Sequence, residues 1–186
     1  GTLLDAIPFG GVAGDGQIIF WPPDNIRMSV VGVTDVYEHA QTLELPHNRR
    51  KVRVRLASLP GLVILKIVAI YDRVEARVKR DANDIDFITS KYLDAGNRPR
   101  LESGKDADLA REGNLDLDIA SARLLGRDMA RISSLPTRHS LLDILNREAK
   151  GSSACPIAQE LRRHHGGSFA RARQILCAIL QGFEEA

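Results

Sequence analysis

Between Leu62 and Tyr71 nine of ten residues are apolar, and the exception is Lys66. Ser58 stands ahead of this run as a cap and Pro60 falls in the first turn, so the stretch from Ser58 to Arg77 reads as one helix. A helix apolar nearly all round belongs in the interior, with the rest of the chain wrapped around it. Burial then demands a partner for the Lys66 ammonium, since a desolvated charge must be met or lost. Arg73, seven positions on, shares its face. Asp81 and Asp84, spaced i, i+3 where the next helix begins with Asp81 as its cap, share a face too. Antiparallel packing of the two helices lets the Lys66/Arg73 stripe meet the Asp81/Asp84 pair. Two readings stay open: a structural seam of ion pairs, or a Lys66 that points into a phosphate site and is held there by neighbouring acids. For a seam, Lys66→Met is expected to cost less than Asp84→Ala.

The charge pattern supports the same meeting. Residues 46–80 hold ten Lys or Arg against two acids, a balance of +8, and residues 81–118 hold ten acids against five bases, a balance of −5. Such a segregation fits two faces that meet, separate sites for an anion and a cation, or solvated surface. No apolar run is long enough to span a membrane, and the chain opens on neither a basic leader nor a signal-peptide core. Cys155 and Cys177 form no C-x-x-C pattern. They read as buried thiols of a reducing compartment, and a cytoplasmic location is expected.

Ahead of the buried helix the pattern is strand and turn. "LLDAIPF" (residues 3–9) and "QIIFW" (17–21) are β-rich runs separated by the Gly-rich "GGVAGDG" (10–16), and "TDVYEHA" (34–40) reads as a short helix capped by Thr34. "QTLEL" and "KVRVRLA" read as a hairpin joined by "PHNRR", with Val52, Val54 and Leu56 on its core side and Lys51, Arg53 and Arg55 on a basic side. Behind the helix, "DANDIDFITSKYLDAGN" ends at Gly96, and the polar stretch 97–114 reads as a linker. Amphipathic helices follow, among them "LDLDIASARLLGRDMARI" and "RHSLLDILNREA". The adjacent His164 and His165 diverge on a helix and make a poor metal pair. "LRRHHGGSFARAR" is basic, yet residues 151–186 carry only four Arg against three Glu, which favours a solvated face. There is no P-loop and no local support for a Ser or Cys nucleophile. Asp5 remains odd, a carboxylate inside an apolar strand that needs a cation or strong donors.

With "LLDAIPFGGV", "IIFWPPD", "RLASLPGLVILKIVAIYDR", "RDANDIDF", "YLDAGN" and "ARLLGRDMA" in this order, the chain resembles the bacterial nucleotidyltransferases related to the abortive-infection toxin enzymes, within the polymerase-β-like superfamily. That resemblance implies transfer of a nucleoside monophosphate from an NTP to an acceptor hydroxyl. It also implies three carboxylates around two Mg²⁺ ions: a D-x-D pair after a Gly-Gly or Gly-Ser turn, and a third acid in a later strand. Asp5 matches the third, and would bind metal and orient or deprotonate the acceptor. Gly10 and Gly11 would border the site, Lys66 would contact phosphate, and Arg73, Asp81 and Asp84 would be its supporting ion pairs. No D-x-D pair stands before Asp5, so the segment bearing it is expected to be missing. "DIDF" and "LDLDI" have the acid spacing without the turn, in helical surroundings. With one metal carboxylate of three, Mg²⁺ should bind weakly and the chain alone should transfer little nucleotide.

The fold expected is α+β: a small mixed sheet, as part of a nucleotidyltransferase fold, packed by a buried helix and followed by a helical C-terminal region. Its divisions are an α/β core at 1–96, a linker at 97–114 and the helical region at 115–186. The expected partners are an NTP, an acceptor that is RNA or protein, and an antitoxin-like protein, with no membrane. The alternatives are a degenerate, non-catalytic member that binds nucleotide, RNA or protein, and an unrelated helical interaction module with merely structural acids.

Overall fold

The apolar run forms helix α2 (Leu59–Asp72), opened where Ser58 Oγ accepts a hydrogen bond from the Gly61 N–H at 3.3 Å. The computed structural model of the chain describes residues 6–14, 17–48, 50–72, 78–111, 116–151 and 155–186. Val63, Ile64, Ile67 and Ile70 of α2 are buried, and helices gather around them. They include α1 (Val33–Glu38), α3 (Val78–Lys91), α6 (Leu117–Ile132) and α7 (Leu135–Lys150), while β2 (Ile26–Ser29) lies against α2 as well. One continuous apolar core runs from Val36 to Phe183, so the strand-bearing part and the C-terminal helices are packed together.

The class is α+β, with a buried helix and a helical C-terminal region. Its strands pair as two antiparallel ribbons rather than as one mixed sheet: β1 (Ile18–Trp21) with β2, and β3 (Gln41–His47) with β4 (Arg50–Leu56). Connections this short join neighbouring strands antiparallel, whereas a parallel pair needs a long crossover. Ala6–Phe9, expected to finish the first strand, lie outside any ladder. Pro8 offers no N–H to one. Phe9 instead packs on Tyr37 of α1, ring centroids 5.3 Å apart. Gly32, not Thr34, caps α1 at φ +78°, where a Cβ would strike Ile64. The carboxylate of Asp35 in α1 then accepts hydrogen bonds from the Ser134 N–H (3.1 Å) and Oγ (2.9 Å), tying α1 to the start of α7.

The stretch expected as a linker carries two short helices, α4 (Pro99–Ser103) and α5 (Asp108–Arg111), and buries Leu101, Asp106 and Leu109. Asp81 lies inside the first turn of α3 rather than at its cap. α3 ends at Lys91, and Gly96, expected as its stop, lies beyond it within the turn Leu93–Asn97 at φ +93°. Two further helices, α8 (Pro156–His164) and α9 (Phe169–Glu184), close the chain. Cys155 is buried, but Cys177 on α9 is exposed, contrary to the expectation of two buried thiols.

Helices α6 and α9 cross at two glycines. A Cβ at Gly126 would run into the carbonyl oxygen of Ile179, and one at Gly182 into that of Arg123. Backbone cannot retreat as a flexible side chain does, so overpacking here is expensive. Gly126→Ala should cost ~3 kcal/mol, read as a lower urea midpoint. An unchanged midpoint would contradict this crossing.

Candidate functional site

Lys66 sits in the middle of α2, its stem among buried aliphatic residues, and its ammonium emerges where α3 crosses. It donates to Asp81 Oδ1 at 3.2 Å and to Asp84 Oδ2. The i, i+3 spacing puts both acids on the α3 face toward α2. The three side chains differ in access: Asp81 is 10% exposed, Lys66 23% and Asp84 44%. The group thus opens to water on the Asp84 side. With a carboxylate on either side of the ammonium, an incoming phosphate reaches Lys66 only by displacing an acid.

The structure brings Lys66, Asp81 and Asp84 together. Arg73 and Asp5 lie outside the described residues. Gly10 and Gly11 form an exposed 3₁₀ turn, Gly10 at φ +71°, and no described hydrogen bond joins either to Lys66. Among the described residues no group of three or more His, Cys, Asp or Glu converges in a way that would hold a metal ion. Asp5, the expected Mg²⁺ ligand, is not among the residues so compared. His164 and His165 diverge, one to Asn83 Oδ1 (2.8 Å) and the other to Asp86 Oδ1 (2.9 Å). A shallow cavity of about 550 Å³ opens elsewhere, between Asp116, Ala149, Arg173 and Cys177.

The basic strand is partly answered. Lys51 and Arg53 both donate to Glu44 at 3.0 Å, and these cations hold its carboxyl below the usual range. Arg55 donates to the Glu38 carbonyl at 3.1 Å and lies over the Tyr37 ring, 4.3 Å from its centroid. Val52 and Leu56, expected on a core side, are exposed.

Sequence reasoning missed the largest polar cluster. Asp106, fully buried, accepts from Arg100 (2.6 Å), Arg127 (3.2 Å) and Arg131 (3.1 Å). Asp128 accepts from Arg100 (2.6 Å), Arg131 (2.5 Å) and the Tyr92 hydroxyl (2.6 Å). Arg127 also reaches Asp108 (2.9 Å) and Glu185 (2.8 Å), which Arg123 meets as well. The signal was there: Arg123, Arg127 and Arg131 recur at i, i+4, i+8, one face of a helix. Four arginines against four acids make a neutral lock between the 97–114 stretch, α6 and the C-terminus.

Comparison with protein-family models, with curated protein sequences and with solved structures found no match.

The geometry reverses the expected order of substitutions at Lys66. Lys66→Met takes one ammonium from both Asp81 and Asp84, and should cost ~2–3 kcal/mol, below a fully buried pair because the group is partly wet. Asp84→Ala leaves Lys66 with Asp81 and should cost about 1 kcal/mol or less. Urea unfolding of both variants reads the order directly, and Asp84→Ala as the more damaging change would contradict it.

Burial pushes the Asp106 and Asp128 carboxyls up, but their hydrogen bonds from the arginines and, for Asp128, from Tyr92 outweigh it and hold both below the usual range. A carboxyl depressed in the folded state stabilises it above the unfolded value of about 4, and loses that contribution as pH falls through the folded value. The urea midpoint should therefore drop below about pH 4. Asp128→Asn should be less stable at pH 7 and show a shallower acid dependence. Equal acid slopes in the two proteins would remove these carboxylates from the account.

Proposed function

We propose that this chain belongs to a nucleotide-handling protein of the nucleotidyltransferase type, which moves a nucleoside monophosphate from an NTP to an acceptor hydroxyl. One observation carries the reading: the single cation of a buried helix delivers its ammonium to the surface between two acids, one of them open to water. A structural seam could be buried throughout. Here Lys66 is pre-positioned with a partly exposed ion pair that an incoming phosphate can exchange for. Asp5, by the resemblance, would orient the acceptor or take its proton. An Mg²⁺ requirement, and an RNA or protein acceptor, come with the resemblance as well.

A second reading rests on a different observation. Lys66 is already neutralised by Asp81 and Asp84, and the described residues converge on no metal. A chain of this kind binds nucleotide weakly without turning it over. The two readings agree on binding and part on chemistry.

Titration calorimetry with ATP, GTP, CTP and UTP in the presence of Mg²⁺, and transfer of label from α-³²P-labelled NTPs to RNA and protein acceptors, test both. At least one NTP should bind, Lys66→Met should weaken it at least tenfold, and Lys79→Met, on the exposed side of α3, should leave it unchanged. Label transfer by this chain alone should be negligible, because charge stabilisation is the main device in phosphoryl-type transfer. Absence of binding, or binding indifferent to Lys66→Met, would remove the nucleotide reading. Robust Mg²⁺-dependent labelling that survives Asp5→Asn would show the site to be elsewhere.

A further inference from the structure

Ribbon β3–β4 is amphipathic, and its apolar side faces water. The register sets Leu43 opposite Val54 and Leu45 opposite Val52, with Leu56 following on the same face. Leu43, Leu45, Val52 and Leu56 are 43–53% exposed. A contiguous aliphatic patch of this kind marks an interaction site, and a lone two-stranded ribbon is marginal without cover. The opposite face is basic, with Lys51, Arg53 and Arg55 on β4 against a single acid, Glu44, on β3. Among the described residues the ribbon has two strands only, so the outer edge of β4 pairs with no strand.

We propose that this outer edge receives an extended segment of another protein in which apolar and acidic residues alternate. Strand period two sends alternate side chains to opposite faces. The apolar ones would extend the Leu43–Leu45–Val52–Val54–Leu56 face, and the acidic ones would stand beside Lys51, Arg53 and Arg55, three cations whose one described carboxylate partner is Glu44. Edge backbone groups supply the hydrogen bonds, and the side-chain alternation supplies the specificity. A second copy suits the edge poorly, since antiparallel β4–β4 pairing would set like charges across from one another. Nucleic acid would answer the bases but leave the aliphatic face wet. The surface does not depend on the nucleotide reading, and its test does not involve nucleotide.

Two capped nine-residue peptides, one alternating valine with glutamate and the other valine with lysine, are titrated into the full chain while backbone amide exchange is followed. The glutamate peptide should bind roughly tenfold tighter than the lysine peptide and slow exchange at residues 51–55. In a Lys51→Glu/Arg53→Glu variant, both positions being surface-exposed, the preference should reverse. Equal binding of the peptides, or no slowing at β4, would overturn the proposal. So would a mass that doubles with concentration in the absence of peptide and protects β4, which would make the occupant a second copy. Protection of the same amides by an oligouridylate instead of the peptide would assign the face to RNA.

Discussion

A single ammonium inside an apolar helix sets the terms for the strand-bearing half. α2 is the element that neighbouring helices share, and burying it stabilises the fold only if Lys66 does not go in unpaired. Two acids one turn apart on α3 meet that requirement, and in doing so fix the face that α3 turns toward α2. Ser29 and Asp72 do the same at the far end of α2, where the Ser29 N–H donates to the Asp72 carboxylate at 2.7 Å and anchors β2. The position of the ion pair at the rim of the core follows from the length of a lysine side chain, and that position leaves Asp84 reachable from solvent.

The helical half is held by different means. Glycines at the α6–α9 crossing bring backbone against backbone, so the angle of the two helices is set by sterics rather than by side-chain fit. Around that crossing the arginine face of α6 gathers acids from α5, from the loop before it and from the C-terminus, and Asp106, Glu185 and Arg127 are each met by more than one partner. Glu148 adds a third fastening: wholly buried, it accepts from the Tyr71 hydroxyl at 2.6 Å and from the first N–H groups of α8, joining α2 to α7 and α8. Burial pushes its carboxyl up and outweighs the bonds from Tyr71, Ala158 and Ile157, so its shift runs opposite to those of Asp106 and Asp128.

Period and caps made the long helices legible. α2, α3, α6 and α7 announce themselves through apolar spacing and, for α2, through Ser58 as a cap. β2 was not legible, because "IRMS" is too short to alternate. The 97–114 stretch looked like a linker because its core-forming residues are few, and Asp106 counts as a surface residue until three distant arginines reach it. The β3–β4 alternation reads as a two-faced ribbon, yet alternation cannot report whether anything lies against the apolar face, and Val52 and Leu56 are exposed. For the candidate site, Lys66, Asp81 and Asp84 could be grouped because helix spacing is local arithmetic. The Gly10–Gly11 turn could not be placed relative to them, since a loop position depends on contacts such as Phe9 with Tyr37 that no spacing encodes.

The central claim is that the Lys66 charge couples α2 to α3 through the acids of α3, and a double-mutant cycle measures that coupling. Lys66→Met, Asp84→Asn and the double variant are unfolded in urea at neutral pH and compared with the parent chain. The account predicts non-additivity of about 1 kcal/mol, as expected for side chains in direct contact. Additivity within about 0.3 kcal/mol would mean that the two residues do not sense one another, and would contradict it.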